Sequence, residues 1–215
     1  MFFDLTMGQV GTLTLPGAFS DIGWATKDKF VDASDEELLR KYWGGDADAF
    51  QVLYGRHRKH LYRFVLRLSA NSAEGDEVFQ ETWMAVIHGR ERFRADARFA
   101  TYLFSIARRR AADRWRTRGS VEVEALPEIE PLILDEELIA LYGPLDRAQN
   151  AELGAALSDA IDSLPAPQRE AFLMQAESDL SLNEIALATQ TNPETVKSRL
   201  RYATRRLRKR LAEWR

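Results

Sequence analysis

The 215-residue chain contains no cysteine. Disulfides and thiolate metal sites are therefore excluded, and the composition fits a reducing compartment, which makes a cytoplasmic location the expectation. Histidine is nearly as scarce. His57, His60 and His88 are the only three, and none has a second ligand at metal-binding spacing. No apolar run approaches the roughly 20 residues needed to span a bilayer. Met1–Phe30 does not read as a signal peptide either. Asp4 comes early, the first cation is Lys27, and glycines interrupt the apolar stretch. No segment alternates in a way that predicts a strand, and none repeats.

What is present is helical periodicity and an uneven distribution of charge. Hydrophobic residues make up 45% of the chain, enough for one large core or two small ones. The net charge of −3 hides three zones. Residues 90–118 hold ten Arg against three acids, and residues 193–215 hold nine Lys/Arg against two. Between them, residues 117–152 hold nine acids against two Arg. Two basic patches flanking an acidic segment imply local phosphate neutralisation and salt-sensitive affinity.

The pattern divides the chain into an irregular arm (1–33), a helical unit (34–117), an acidic, proline-containing linker (118–150) and a second helical unit (151–215). In the first unit, Ser34 and Glu37 form a capping-box pattern ahead of Leu38, Leu39, Tyr42 and Trp43. Asp46 or Asp48 opens the next helix, with Phe50, Leu53, Leu61, Phe64 and Val65 at helical spacing. Asn71 and Glu74 open a third, which Gly89 ends. A long helix then runs from about Arg98 to Arg116. Its Phe99 and Tyr102 are interleaved with Arg108, Arg109, Arg110 and Arg114, a mixture suited to phosphate contacts and to stacking on unpaired bases.

In the second unit, Leu153, Leu157 and Ile161 mark a helix that Leu164-Pro165 breaks, and Pro167 opens another. Ser181 and Glu184 repeat the capping box, and Gln190-Thr191-Asn192 make a short turn. Asn192 caps a final helix with Pro193 at its first position. Val196, Leu200, Ala203 and Leu207 form its buried stripe. Thr195, Lys197, Ser198, Arg199, Arg201, Arg205, Arg206 and Lys209 lie on its other faces. A short capped helix, a tight turn and a basic second helix make a helix-turn-helix that reads DNA.

Three stretches in this order resemble the extracytoplasmic-function (ECF) type of bacterial RNA polymerase sigma factor. They are E-G-D-E-V-F-Q-E-T-W from Glu74, F-R-A-D-A-R-F-A-T-Y-L-F-S-I-A-R-R-R-A-A-D-R-W from Phe93, and the whole of Leu164–Leu211, including E-T-V-K-S-R-L-R-Y-A. The resemblance implies an all-α protein of two domains, sigma domain two and sigma domain four. It implies a non-catalytic promoter-specificity subunit with no cofactor or metal, whose partners are the polymerase core (β′ clamp and β flap) and promoter DNA. Glu74, Asp76, Glu77, Gln80, Glu81 and Trp83 would dock on the clamp. Arg92, Phe93, Arg94, Phe99, Tyr102, Arg108, Arg109, Arg110 and Arg114 would read and melt the −10 element. Thr195, Lys197, Ser198, Arg199 and Arg201 would read the −35 element, with Arg205, Arg206 and Lys209 holding phosphates. Restraint by an anti-sigma factor and restraint by a regulatory kinase both stay open.

Three departures stand out. Arg109 replaces a usual Asn, and Arg98 replaces a usual Ser at the start of its helix, leaving Asp96 as the expected cap. Gln190 replaces a usual Gly, which predicts a differently shaped turn. The alternative reading, a stand-alone helix-turn-helix regulator, accounts for residues 181–210 but not for the Arg/aromatic helix. An enzyme is disfavoured, because the acids of the first unit are dispersed rather than convergent.

Overall fold

A computed structural model describes residues 29–90, 93, 97–117 and 151–212. The linker, the arm up to residue 28 (with Phe2, Phe3, Phe19 and Trp24) and Asp96 lie outside them. Among the described residues there are eight α-helices and no strand, in agreement with the all-α expectation.

Most helices start where a short polar side chain can accept the amides that a first turn leaves unpaired. Helix α1 (Asp35–Trp43) opens on Ser34, whose hydroxyl accepts the Glu37 amide while Glu37 accepts the Ser34 amide in return. Helix α2 (Ala47–Leu68) is capped by Asp46 rather than Asp48. Helix α3 (Ser72–Ile87) opens on Asn71 and closes at His88, just before Gly89. Gly89 has a separate role, since a Cβ there would sit 2.2 Å from the Tyr102 hydroxyl. Helix α4 (Phe99–Thr117) has the amide of its first residue held by Glu36 Oε1 of α1, at 2.7 Å.

The second unit comprises α5 (Ala151–Asp162), α6 (Ala166–Ser178), α7 (Leu182–Thr189) and α8 (Pro193–Arg210). Helix α6 is preceded by Pro165, so Pro167 is its second residue and not its opening one.

Burial follows the helical stripes. In the first unit α2 packs on α1 and α3, and α3 packs on α4, around the fully buried Leu38, Leu39, Leu53, Phe64, Leu103 and Phe104. In the second, α8 crosses α6 and α7 around Phe172, Leu173, Ile185, Val196 and Leu200. Each fully buried Leu or Phe contributes about 1.5–3 kcal/mol of transfer free energy. The end of the arm joins the first core: Phe30 is buried, and Arg56 donates to the carbonyls of Phe30 and Ala33. The two units also pack on each other, α2 against α6 and α4 against α7, and their buried apolar residues form one continuous core.

Candidate DNA and polymerase interfaces

The helix-turn-helix is α7, the turn Gln190–Asn192 and α8. Ser181 and Glu184 complete the second capping box. Asn192 Oδ1 accepts the Thr195 amide at 2.7 Å and aims the start of α8. Gln190 takes φ 55° and ψ 42°, the left-handed conformation that glycine would adopt. The turn is therefore not reshaped by the missing glycine; Gln190 bears a conformational cost of about 1–2 kcal/mol instead. The Thr191 amide donates to Ala186 at 3.0 Å, and the Thr189 hydroxyl donates to the Ile185 carbonyl at 2.7 Å. Those bonds hold the turn closed.

On α8 the stripe Val196, Leu200, Ala203 and Leu207 is buried as its spacing predicts. Arg205, Arg206 and Lys209 are exposed, and Thr195, Lys197, Ser198, Arg199 and Arg201 are partly so. Lys197 lies 3.9 Å from Glu194, and the Arg201 guanidinium sits over the Tyr202 ring. Arg199 is the most enclosed. Burial pushes its guanidinium down from the ordinary arginine range, against the pull of Glu170.

The docking set divides. Glu77, Gln80 and Met84 are exposed and, with Glu81, His88 and Arg110, line an open cleft of about 450 Å³. Asp76 accepts the Tyr62 hydroxyl at 2.9 Å. Glu74 and Trp83 do not face outward. Glu74 is buried, and its Oε2 accepts the Ala70 amide ahead of α3. Trp83 is buried between Phe50 and Tyr54, at ring distances of 5.7 and 4.9 Å. Both side chains are taken up by packing within the first unit.

The −10 set divides as well. Arg92 and Arg94 lie outside the described residues. Phe93 stacks edge-on against Tyr102 at 5.2 Å and rests on Trp43 at 5.8 Å. Phe99, expected near a melted strand, is fully buried and edge-on to His57, so it stacks on no base in this arrangement. Arg109 is exposed and, with Tyr102, Ile106, Arg110 and Asp113, lines a second cleft of about 540 Å³.

Arg108 is held by Glu170 of α6 at 2.9 Å. Arg114 is held by Glu77 and Glu81, whose hydrogen bonds and charge raise its guanidinium pKa, and Arg110 lies 3.6 Å from Glu81. Two of the acids expected to dock, Glu77 and Glu81, are thus paired with two of the arginines expected to touch DNA, Arg110 and Arg114, across α3 and α4.

Some partners left no local signal in the sequence. Glu177, on α6, has a fully buried side chain that takes a two-pronged contact from Arg63 (2.6–3.0 Å) and a third from His60 (3.2 Å). Arg67 meets Asp162 at 2.9 Å, and Arg98 meets Glu184 at 3.3 Å. Sequence separations of 86–117 residues put these partners beyond any spacing argument.

Two family models match the chain in order along these units. Sigma-70 region 2 covers residues 53–121, and Sigma-70, region 4 covers residues 154–207. The chain is 28% identical to the ECF RNA polymerase sigma factor SigE of Mycolicibacterium smegmatis, over 94% of this chain and 79% of that one. It is 28% identical to SigM of Mycobacterium tuberculosis (82% and 84% covered) and 27% identical to SigW of Bacillus subtilis (83% and 97%). Among solved structures it resembles the sigma factor RpoE of Bartonella quintana, determined in complex with the anti-sigma factor NepR. That match has a TM-score of 0.54 and 26% identity over 72% of this chain and 91% of that one. It also shares the fold of CnrH, determined with the cytosolic domain of CnrY, at TM-score 0.59 and 22% identity over 83% and 97%. No described helix is long and apolar enough to cross a membrane.

Proposed function

The chain belongs to the sigma-70 family as an ECF-type sigma subunit of RNA polymerase, and from that premise we propose how its surfaces divide the work. The first unit docks on the polymerase β′ clamp through Asp76, Glu77, Gln80 and Glu81. The same unit reads and melts the −10 element through Arg109 and the aromatic ledge Phe93–Tyr102. The second unit reads the −35 element through the outer faces of α8 and also meets the β flap. In that reading Arg199 and Arg201 pair with guanine edges in the major groove, each good pair discriminating by about 1–3 kcal/mol. Arg205, Arg206 and Lys209 hold phosphates and set the register. The protein supplies specificity while the core enzyme supplies the chemistry, and both act in the cytoplasm.

The observation that carries this reading is the order of the two family matches across two helical units that end in a capped, basic helix-turn-helix. The test is reconstitution: full-length chain, core polymerase and a promoter library, with the transcripts sequenced. Initiation from a restricted promoter set is expected. Duplex binding with no specific initiation would instead mark a stand-alone regulator. Glu77→Lys should lose core binding while duplex affinity survives.

A further inference from the structure

Two residues of α1 hold the two ends of the segment that joins α3 to α4. Glu36 and Trp43 are seven residues apart, so they share one face of α1 at a separation of about 10 Å along its axis. At the α4 end, Glu36 Oε1 accepts the Phe99 amide at 2.7 Å. At the α3 end, the Trp43 carbonyl accepts from Arg90 Nη1 at 3.3 Å, and the Trp43 ring rests on Phe93 at 5.8 Å. Phe93 in turn meets Tyr102, one turn into α4, at 5.2 Å. Gly89 leaves the space that the Tyr102 hydroxyl fills.

The Glu36 contact makes good a local deficit. The Tyr102 amide donates to the Arg98 carbonyl at 3.2 Å, which puts Arg98 at the capping position of α4. An arginine side chain only donates, so Arg98 cannot accept an amide of the first turn. A carboxylate from another helix supplies the acceptor instead. Helix α1 is itself anchored from behind. Asp35 accepts from Arg56 at 2.8 Å and pairs with His57 at 2.5 Å, and Leu38 and Leu39 are fully buried. At the other end of α1, Trp43 Nε1 is buried with no hydrogen-bond partner among the described residues, so this side chain serves by packing rather than by donation.

We propose that Glu36 and Trp43 are positioning residues for −10 reading. Glu36 caps α4 from outside, Trp43 seats the Phe93–Tyr102 ledge, and α1 thereby sets how the ledge and Arg109 face a melted strand. The consequence rests on the promoter-binding reading, and the geometry rests on the contacts of α1. Both residues act through α4 and the ledge rather than by touching DNA. Without its cap the first turn of α4 frays, and the fraction of chains able to read the strand falls with it.

The test uses the full chain assembled with core polymerase, on a promoter recovered from the library assay. Permanganate reactivity of unpaired thymines reads open-complex formation. Glu36→Ala should lower it by roughly three- to tenfold, within the range of a lost helix cap. Glu36→Gln removes the same charge but keeps a carbonyl acceptor, so it should stay within about twofold of the native chain. Loss of a negative charge would by itself favour DNA in both variants, so the sign separates positioning from simple electrostatics. Trp43→Phe keeps a ring and should be tolerated, whereas Trp43→Ala should fall with Glu36→Ala. Core binding should be unchanged in all four. Hydrogen exchange at the start of α4 should rise in Glu36→Ala and not in Glu36→Gln, with the other helices as protected as in the native chain. Native open-complex formation by Glu36→Ala, or an equal loss in Glu36→Ala and Glu36→Gln, overturns the proposal. So does an exchange increase spread over every helix, which marks general destabilisation. A native chain that opens no promoter breaks the promoter-binding reading instead, and exchange at Phe99 then judges the cap by itself.

Discussion

Helices α4 and α8 are both rich in arginine, yet the fold treats them differently. On α4, Arg108, Arg110, Arg114 and Arg116 each have a carboxylate partner, as does Arg98 just before it. On α8, Arg205, Arg206 and Lys209 stand in solvent. The cause is position rather than composition. Helix α4 is sandwiched between the acidic face of α3 and the acids of α6 and α7, whereas α8 buries one stripe and leaves the opposite face open. A count of arginines therefore reports capacity for DNA, and the neighbouring helices decide availability.

The largest effect expected from breaking this contrast is at Glu177. Its side chain is fully buried against Arg63, so Glu177→Ala leaves a half-buried guanidinium without its carboxylate. The loss should be about 3–5 kcal/mol in chemical denaturation. A loss under about 1 kcal/mol would show that the pair does not hold the units together.

On α8 the contrast is between two arginines. Arg199→Ala should remove about 1–3 kcal/mol of base discrimination at one position of the −35 element, with core binding intact. Arg205→Ala should weaken all sequences alike and lower the salt slope of binding by about one. Binding isotherms at several salt concentrations on matched and mismatched duplexes separate the two. Identical behaviour would erase the proposed division between reading and holding.

A smaller effect is expected at the turn that aims α8. Gln190→Gly should stabilise the chain by about 1 kcal/mol, because glycine adopts the left-handed conformation without a Cβ clash. Thermal melting decides the sign.

The mildest effect is with pH. Burial raises the Glu184 carboxyl, but hydrogen bonds from Ser181 and the charge of Arg98 bring it below its ordinary value. Burial likewise opposes, and His57 and Arg56 outweigh it, at Asp35. A depressed carboxylate contributes stability that is present above its unfolded pKa and is lost as pH falls through the folded value. Stability should therefore hold at neutral pH and begin to fall near pH 4, about where free carboxyls titrate. Glu184→Gln should remove part of that acid dependence, as pH-dependent denaturation would read.

The parts of the fold legible in the sequence were those with short-range causes. Ser34–Glu37, Asn71–Glu74, Ser181–Glu184 and Asn192–Thr195 are contacts three residues apart, and each forms as its spacing predicts. The stripe of α8 also follows from helical period alone. Readings that assigned a direction to an aromatic or acidic side chain were less secure. Phe99, Trp83 and Glu74 belong to helices placed correctly, but they turn inward because α2 supplies aromatic partners for the first two and the Ala70 amide, just after α2, bonds the third. The start of α4 shows the same limit: its first amide is held by Glu36, 63 residues earlier.

The sequence by itself determined the helical segments, the caps of α1, α3, α7 and α8, and the buried stripe of the basic final helix, because those depend on neighbours within about one turn. Only the tertiary structure decided which arginines are paired with carboxylates, that Glu170 of the second unit holds Arg108 of the first, and that Gln190 takes the glycine conformation. Pairing across 86–117 residues carries no periodic signal. A left-handed residue is tolerated when the packing on both sides over-determines the turn. The units meet because each leaves an apolar face uncovered and because the charges at their contact are opposite, and both properties appear only once the helices are assembled.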